Sequence, residues 1–171
     1  MKKTAAILLM MFTLTNAQIV YPVTNMKPRS LNHEKLSGPR TGITLATGST
    51  ADKLKERFDA SPFITQFGWQ FEKRFTPNGK DMALLTEFVP LIGGLEQGLF
   101  LPSLSWIFGV RGREGGEAGF GANISAAGAA YVIAGGFTKK WGSINFPVTR
   151  SLVLSKGGPR YSLLIGFTMP E

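Results

Sequence analysis

Residues 63–75 read FITQFGWQFEKRF, and their alternation decides the fold. The odd positions are Phe63, Thr65, Phe67, Trp69, Phe71, Lys73 and Phe75. The even ones are Ile64, Gln66, Gly68, Gln70, Glu72 and Arg74. A helix would scatter these two sets around its axis, whereas a strand sends them to opposite faces. One face is aromatic; the other carries amides, glycine and charge.

Working outward, seven more segments follow the same dyad rule. They are Thr41 to Thr47, Met82 to Ile92, Leu99 to Arg111, Glu117 to Ala126, Ala129 to Thr138, Ser143 to Leu154 and Arg160 to Met169. In the fourth strand Phe100, Leu104, Trp106, Phe108 and Val110 share a face opposite Ser103, Ser105, Gly109 and Arg111. The last strand sets Tyr161, Leu163, Ile165, Phe167 and Met169 together. Turn residues such as Pro77-Asn78-Gly79 and Lys156-Gly157-Gly158 join neighbours in sequence. Eight sequential antiparallel strands predict an up-and-down barrel, which leaves no open edge. Pro90, Pro102 and Pro147 fall inside strands, and bulges are expected near them. The interval Ser49 to Ser61 differs: it reads either as a short helix through Asp52 to Phe58, capped by Ser49 or Thr50, or as an ordinary charged loop.

The barrel admits two orientations of its faces. In a soluble lipocalin-like barrel the apolar residues surround a ligand; in a transmembrane barrel they face lipid, and the interior is polar. The minor face, with Gln66, Gly68, Gln70, Ser103, Ser105, Gly119, Gly121, Asn123 and Ser162, is too small and too poor in Lys and Glu for a solvated exterior. An eight-stranded interior has room only for side chains, and such residues fit it. All eleven phenylalanines from Phe63 to Phe167 fall on the other parity. The expected fold is therefore an all-β, eight-stranded antiparallel transmembrane barrel, apolar outside and small or polar inside. An aromatic girdle is expected at Phe63, Phe75, Phe100, Tyr131, Phe137, Trp141, Tyr161 and Phe167.

Composition agrees. The 171 residues include 21 Gly and 13 Phe, no Cys and one His. Met1-Lys2-Lys3, the apolar run Ala5 to Leu14 and the small residues Thr15-Asn16-Ala17 have the order of a secretory signal peptide, cleaved before Gln18. The expected organisation is a signal peptide over 1–17, an extended periplasmic leader over 18–40 and a barrel over 41–171. Cleavage leaves 17 basic against 11 acidic residues, a net charge of +6. An exported chain without Cys suits a bacterial envelope better than a disulfide-built secreted domain.

With these features the chain resembles the small eight-stranded outer-membrane β-barrel proteins of Gram-negative bacteria. The resemblance rests on the signal peptide, the dyad repeat from Thr41 to Met169 and the terminal strand Tyr161-Ser162-Leu163-Leu164-Ile165-Gly166-Phe167. It implies residence in the outer membrane, with membrane lipids as surroundings. It also implies that the last strand is the signal to the barrel assembly machinery. Thr168 to Glu171 follow Phe167, so the aromatic is not terminal as in that group.

Chemistry is sparse. The only histidine, His33, lies in the leader, so no Ser/His/Asp constellation and no metal-ligand cluster can be built, and no cofactor is expected. The inward charges Glu72, Arg74, Glu87, Arg111 and Glu117 should meet in the half of the lumen nearest the termini, as a structural network or a gated polar pathway. Cations at the rims suit lipid phosphates: Lys53, Lys55, Arg57, Lys156 and Arg160 at one end, Lys73, Lys80, Arg113, Lys139 and Lys140 at the other. Arg150 is expected on the outward face near the outer rim. No basic stripe with interleaved aromatics suggests nucleic acid. A protein partner outside the cell would meet Lys53, Lys55, Arg57 and Phe58 in the one long connection. The expected function is a non-enzymatic envelope component with a structural or interaction role. The competing readings are a soluble periplasmic barrel holding an apolar ligand, and a small outer-membrane enzyme or pore.

Overall fold

The computed structural model describes residues 31, 34–75 and 82–169; the proposed signal peptide, most of the leader including His33, and the turn with Asn78 and Lys80 lie outside them. The strands are β1 (Gly38–Ala46), β2 (Phe63–Arg74), β3 (Met82–Gly93), β4 (Leu101–Gly112), β5 (Gly116–Ser125), β6 (Gly128–Trp141), β7 (Ile144–Ser155) and β8 (Gly158–Gly166). Each pairs antiparallel with its neighbours in sequence, and β8 pairs with β1, giving a closed up-and-down barrel. β1 starts at Gly38, so residues 38–40, expected in the leader, belong to the barrel.

The register, extended by one or two residues where the ladder of pairs stops, can be followed around the ring from Gly38 through Gln70, Val89, Ser105, Asn123, Ala130, Ser155 and Gly158. It returns to the first strand at Gly48, ten residues further on (38 to 48). Eight strands with that stagger tilt by about 40° and enclose a radius of about 8 Å. Little space remains inside once side chains enter. The outward parity is the apolar one: all eleven phenylalanines from Phe63 to Phe167 are at least 40% exposed.

The expected bulges are absent. Gly68 opposite Leu91 and Phe71 opposite Phe88 lie in one register on either side of Pro90, and Pro102 and Pro147 pair in register with Ile92 and Thr138. Proline here removes a donor without inserting a residue, and the closed ring holds the register. The interior is also less polar than expected. Ile107, Val132, Ala134 and Val153 form one buried cluster, and Val89, Leu91 and Leu164 another.

Two inward glycines mark where the curved wall leaves no room for a side chain. A Cβ on Gly42 would stand 1.9 Å from the Leu163 carbonyl oxygen, and one on Gly121 the same distance from that of Trp106. At Gly116, where φ is not positive, nothing lies within 4 Å. Gly121→Ala should therefore lower stability by about 1–3 kcal/mol, while Gly116→Ala should change it by less than about 0.5 kcal/mol. Denaturant unfolding of the purified variants measures both; equal effects would refute close packing at Gly121.

Candidate functional site

The helix α1 (Ser49–Phe58) occupies the long connection between β1 and β2. Its N-cap is Gly48, not Ser49 or Thr50, and no side chain caps it. Instead the Thr50 amide donates to the Gly157 carbonyl at 2.8 Å, tying the helix to the β7–β8 turn. Leu54 turns inward onto Ala46, Ala60 and Ile64, with Leu99 and Leu101 against them, so the helix stoppers the barrel at the end away from the termini. Lys53, Lys55, Arg57 and Phe58 remain exposed.

The opposite end is closed by the segment before β1. Leu36 is fully buried, and Leu31 and Glu34 are nearly so. Glu34 accepts from Lys140 Nζ at 2.5 Å and from Asn145 Nδ2. The Leu31 amide donates to the Arg113 carbonyl at 3.0 Å. This stretch, expected in the leader, has no periodicity to mark it. Lys140, expected at a rim, points into the lumen to reach Glu34.

Just inside this stopper lies the ion cluster. Arg111, with no exposed surface, donates from Nη1 to Glu72 Oε1 at 2.8 Å and from Nε to Glu117 Oε2 at 2.9 Å. Its Nη2 also pairs with Glu72 Oε2, and lies 3.9 Å from Glu87 Oε1. Four of the five residues expected in the network thus meet: Glu72, Glu87, Arg111 and Glu117. Arg74 lies two residues beyond Glu72 at the strand end, half-buried, and is in none of these pairs. The second cation is Arg40, which the sequence reading left in the leader. It donates to Gln70 Oε1 at 3.0 Å and to the Leu36 carbonyl at 2.7 Å. Its signal was available, since Arg40 shares the inward parity of Gly42 and Thr44, but Pro39 hid the strand start.

Beyond the apolar layer the lumen becomes polar again. Arg160, expected at the rim, reaches across from β8 to β5. It donates to Ser125 Oγ at 2.8 Å and to Asn123 Oδ1 at 2.7 Å. It opens the strand Arg160 to Met169 expected from the sequence, on the parity opposite Tyr161 and Leu163. An internal cavity of about 40 Å³ lies between this polar layer and the ion cluster. Outside the wall, a 3₁₀ turn (Leu95–Gln97) clamps the start of β2. Slight burial pushes the Glu96 carboxyl up, but the hydroxyl and amide of Thr65 outweigh it and hold the group at about 2.

The girdle residues divide between the two ends. Phe63, Phe100, Tyr131 and Tyr161 lie toward the helix end, and Phe75, Phe137, Trp141 and Phe167 toward the termini. Tyr161 is half-buried and the others are exposed. Trp141, expected in a turn, ends β6 and is 80% exposed.

These features define a closed barrel stoppered at both ends, with a buried carboxylate–arginine cluster. Comparison with protein-family models, with curated proteins and with solved structures finds no match in any of the three.

Arg111→Met would leave Glu72, Glu87 and Glu117 facing one another without their main counter-charge. It should cost about 3–5 kcal/mol in unfolding free energy, the usual penalty for stranding buried charge. Arg111→Lys, which keeps the charge but loses the fork, should fall between. Unchanged stability in the Met variant would sink the structural role of the cluster.

Proposed function

We propose that the chain is an integral outer-membrane protein of a Gram-negative envelope, crossing the bilayer with its eight strands. In this reading it is non-enzymatic and serves a structural or interaction role. The observation that carries it is the exposed apolar belt. Twenty-five large apolar side chains stand exposed among the described residues, eleven of them phenylalanines on one strand parity. A soluble domain would associate through such a surface, whereas lipid covers it at no cost. No helix among the described residues is long and apolar enough to span a bilayer, so any crossing is made by strands.

Charge supports the reading in kind, with one cost. Lys73 and Lys139 lie outward near the strand ends, where lipid phosphates are within reach. Arg150 is also outward but sits mid-strand, opposite Gly135 and Leu163, rather than near the rim as expected. At the middle of a bilayer an arginine costs about 2–4 kcal/mol. A belt this long tolerates one such residue, and the absent side chain at Gly135 gives its stem room.

The lipocalin-like alternative fares worse, because the aromatics point away from the lumen and a 40 Å³ cavity holds a few waters, not an apolar ligand. For catalysis, the lumen carboxylates are engaged by arginines, and no cluster of potential metal ligands occurs among the described residues. The exposed surface of α1, with Lys53, Lys55, Arg57 and Phe58, is the one we assign to a protein partner. The outward residues of β8, ending at Phe167, are those we assign to the barrel assembly machinery.

Expressed with its N-terminus intact in a Gram-negative host, the protein should start at Gln18 and resist carbonate extraction. It should also run faster on a gel unheated than boiled. Release by carbonate without detergent would overturn the membrane reading.

A further inference from the structure

We propose that Arg160 and the hydroxyls beside it form a binding site for a small monovalent anion of the halide class, inside the lumen near the helix end. Three observations carry the site. First, Arg160 bonds only neutral groups, Ser125 Oγ and Asn123 Oδ1, and forms no ion pair among the described residues. The other lumen arginines differ: Arg111 is paired with carboxylates, and Arg40 adjoins that cluster with carbonyl and amide oxygens on its fork.

Second, Arg160 Nε is buried and has no hydrogen-bond partner. A buried donor left unpaired is costly, more so on a charged group. Third, hydroxyl groups able to donate lie beside it. Asn123 accepts from Arg160 at Oδ1, which fixes its amide so that Nδ2 donates to Ser103 Oγ and Ser105 Oγ, both at 2.9 Å. Each serine oxygen thus accepts from Nδ2, which also lies 3.3 Å from the Leu104 carbonyl, and each serine has its own hydrogen left to donate. Ser103, Ser105 and Arg160 all line the 40 Å³ cavity.

A buried guanidinium with an unpaired Nε and no ion-pair partner, beside hydroxyls able to donate, selects an anion. The volume, enough for about three water-sized spheres, admits a halide with a water or two and excludes phosphate esters and sugars. Water alone would satisfy the donors but leave the guanidinium unneutralised above an apolar layer of Val132 and Val153. Glu87 also lines the cavity, but its carboxylate is turned to the Arg111 cluster, 3.9 Å from Nη2.

The test uses the full mature chain in detergent, with chloride exchanged for gluconate at constant ionic strength, and crystals soaked in bromide. The thermal midpoint should rise with chloride and saturate, and bromide should give an anomalous peak beside Arg160 Nε. Arg160→Gln should abolish both. Ser103→Ala/Ser105→Ala, which keeps the arginine, should raise the half-saturating chloride concentration about tenfold, as loss of two donor bonds implies. Equal midpoints in chloride and gluconate would overturn the proposal. So would a chloride effect that persists unchanged in Arg160→Gln, or in the serine double variant if the arginine variant does not fold.

Discussion

Closure of eight strands with a ten-residue stagger is the constraint on which everything else depends. It gives the wall a radius of about 8 Å, too narrow for a channel once side chains enter. Residues on the inward parity must therefore be small, or must satisfy one another. Gly42 and Gly121 meet the first demand, because neighbouring carbonyls occupy the place of a Cβ. Arg111 meets the second by holding Glu72 and Glu117 at once. The large apolar residues cannot fit inside in number, and the outward parity carries them.

The lumen is layered as a result. A leader stopper at Leu36 gives way to the ion cluster, then to Val89, Ile107, Val132 and Leu164, then to the polar group around Arg160, and finally to Leu54 of the helix. An apolar layer between two charged ones keeps Arg160 from pairing directly with the carboxylates. The separation keeps each arginine with its own partners and leaves the two ends of the lumen electrostatically distinct.

Period-two patterning made the eight strands legible, and with them the facing of Phe67, Trp106, Phe120 and the acids. It worked because the two faces are chemically opposite over ten or more residues. Legibility failed where the chain serves the lumen without alternating. Glu34 and Leu36 act through single contacts made across long sequence separations, which no local pattern encodes. Arg40 stands next to Pro39, a break signal that concealed an inward-facing strand position. The prolines misled in another way. In an open sheet Pro90 would favour a bulge, but ring closure fixes the register on both sides of β3 and leaves no slack for an inserted residue.

Both ends of the barrel are closed by elements that lie outside the strands, and this bears on what such a chain is for. A pore needs a continuous wet path, yet the stoppers place Leu36 and Leu54 at opposite ends of a lumen whose free space is about 40 Å³. Of the buried acids, Glu72 and Glu117 are held by Arg111, and Glu34 by Lys140. What stays available to other molecules is the outside: the apolar belt, the exposed cations of α1 and the strand ends. α1 is held to the β7–β8 turn by Thr50 and to the lumen by Leu54, so Lys53, Lys55, Arg57 and Phe58 are presented from a fixed platform rather than a loose loop. This fixed helical surface fits the interaction role proposed above.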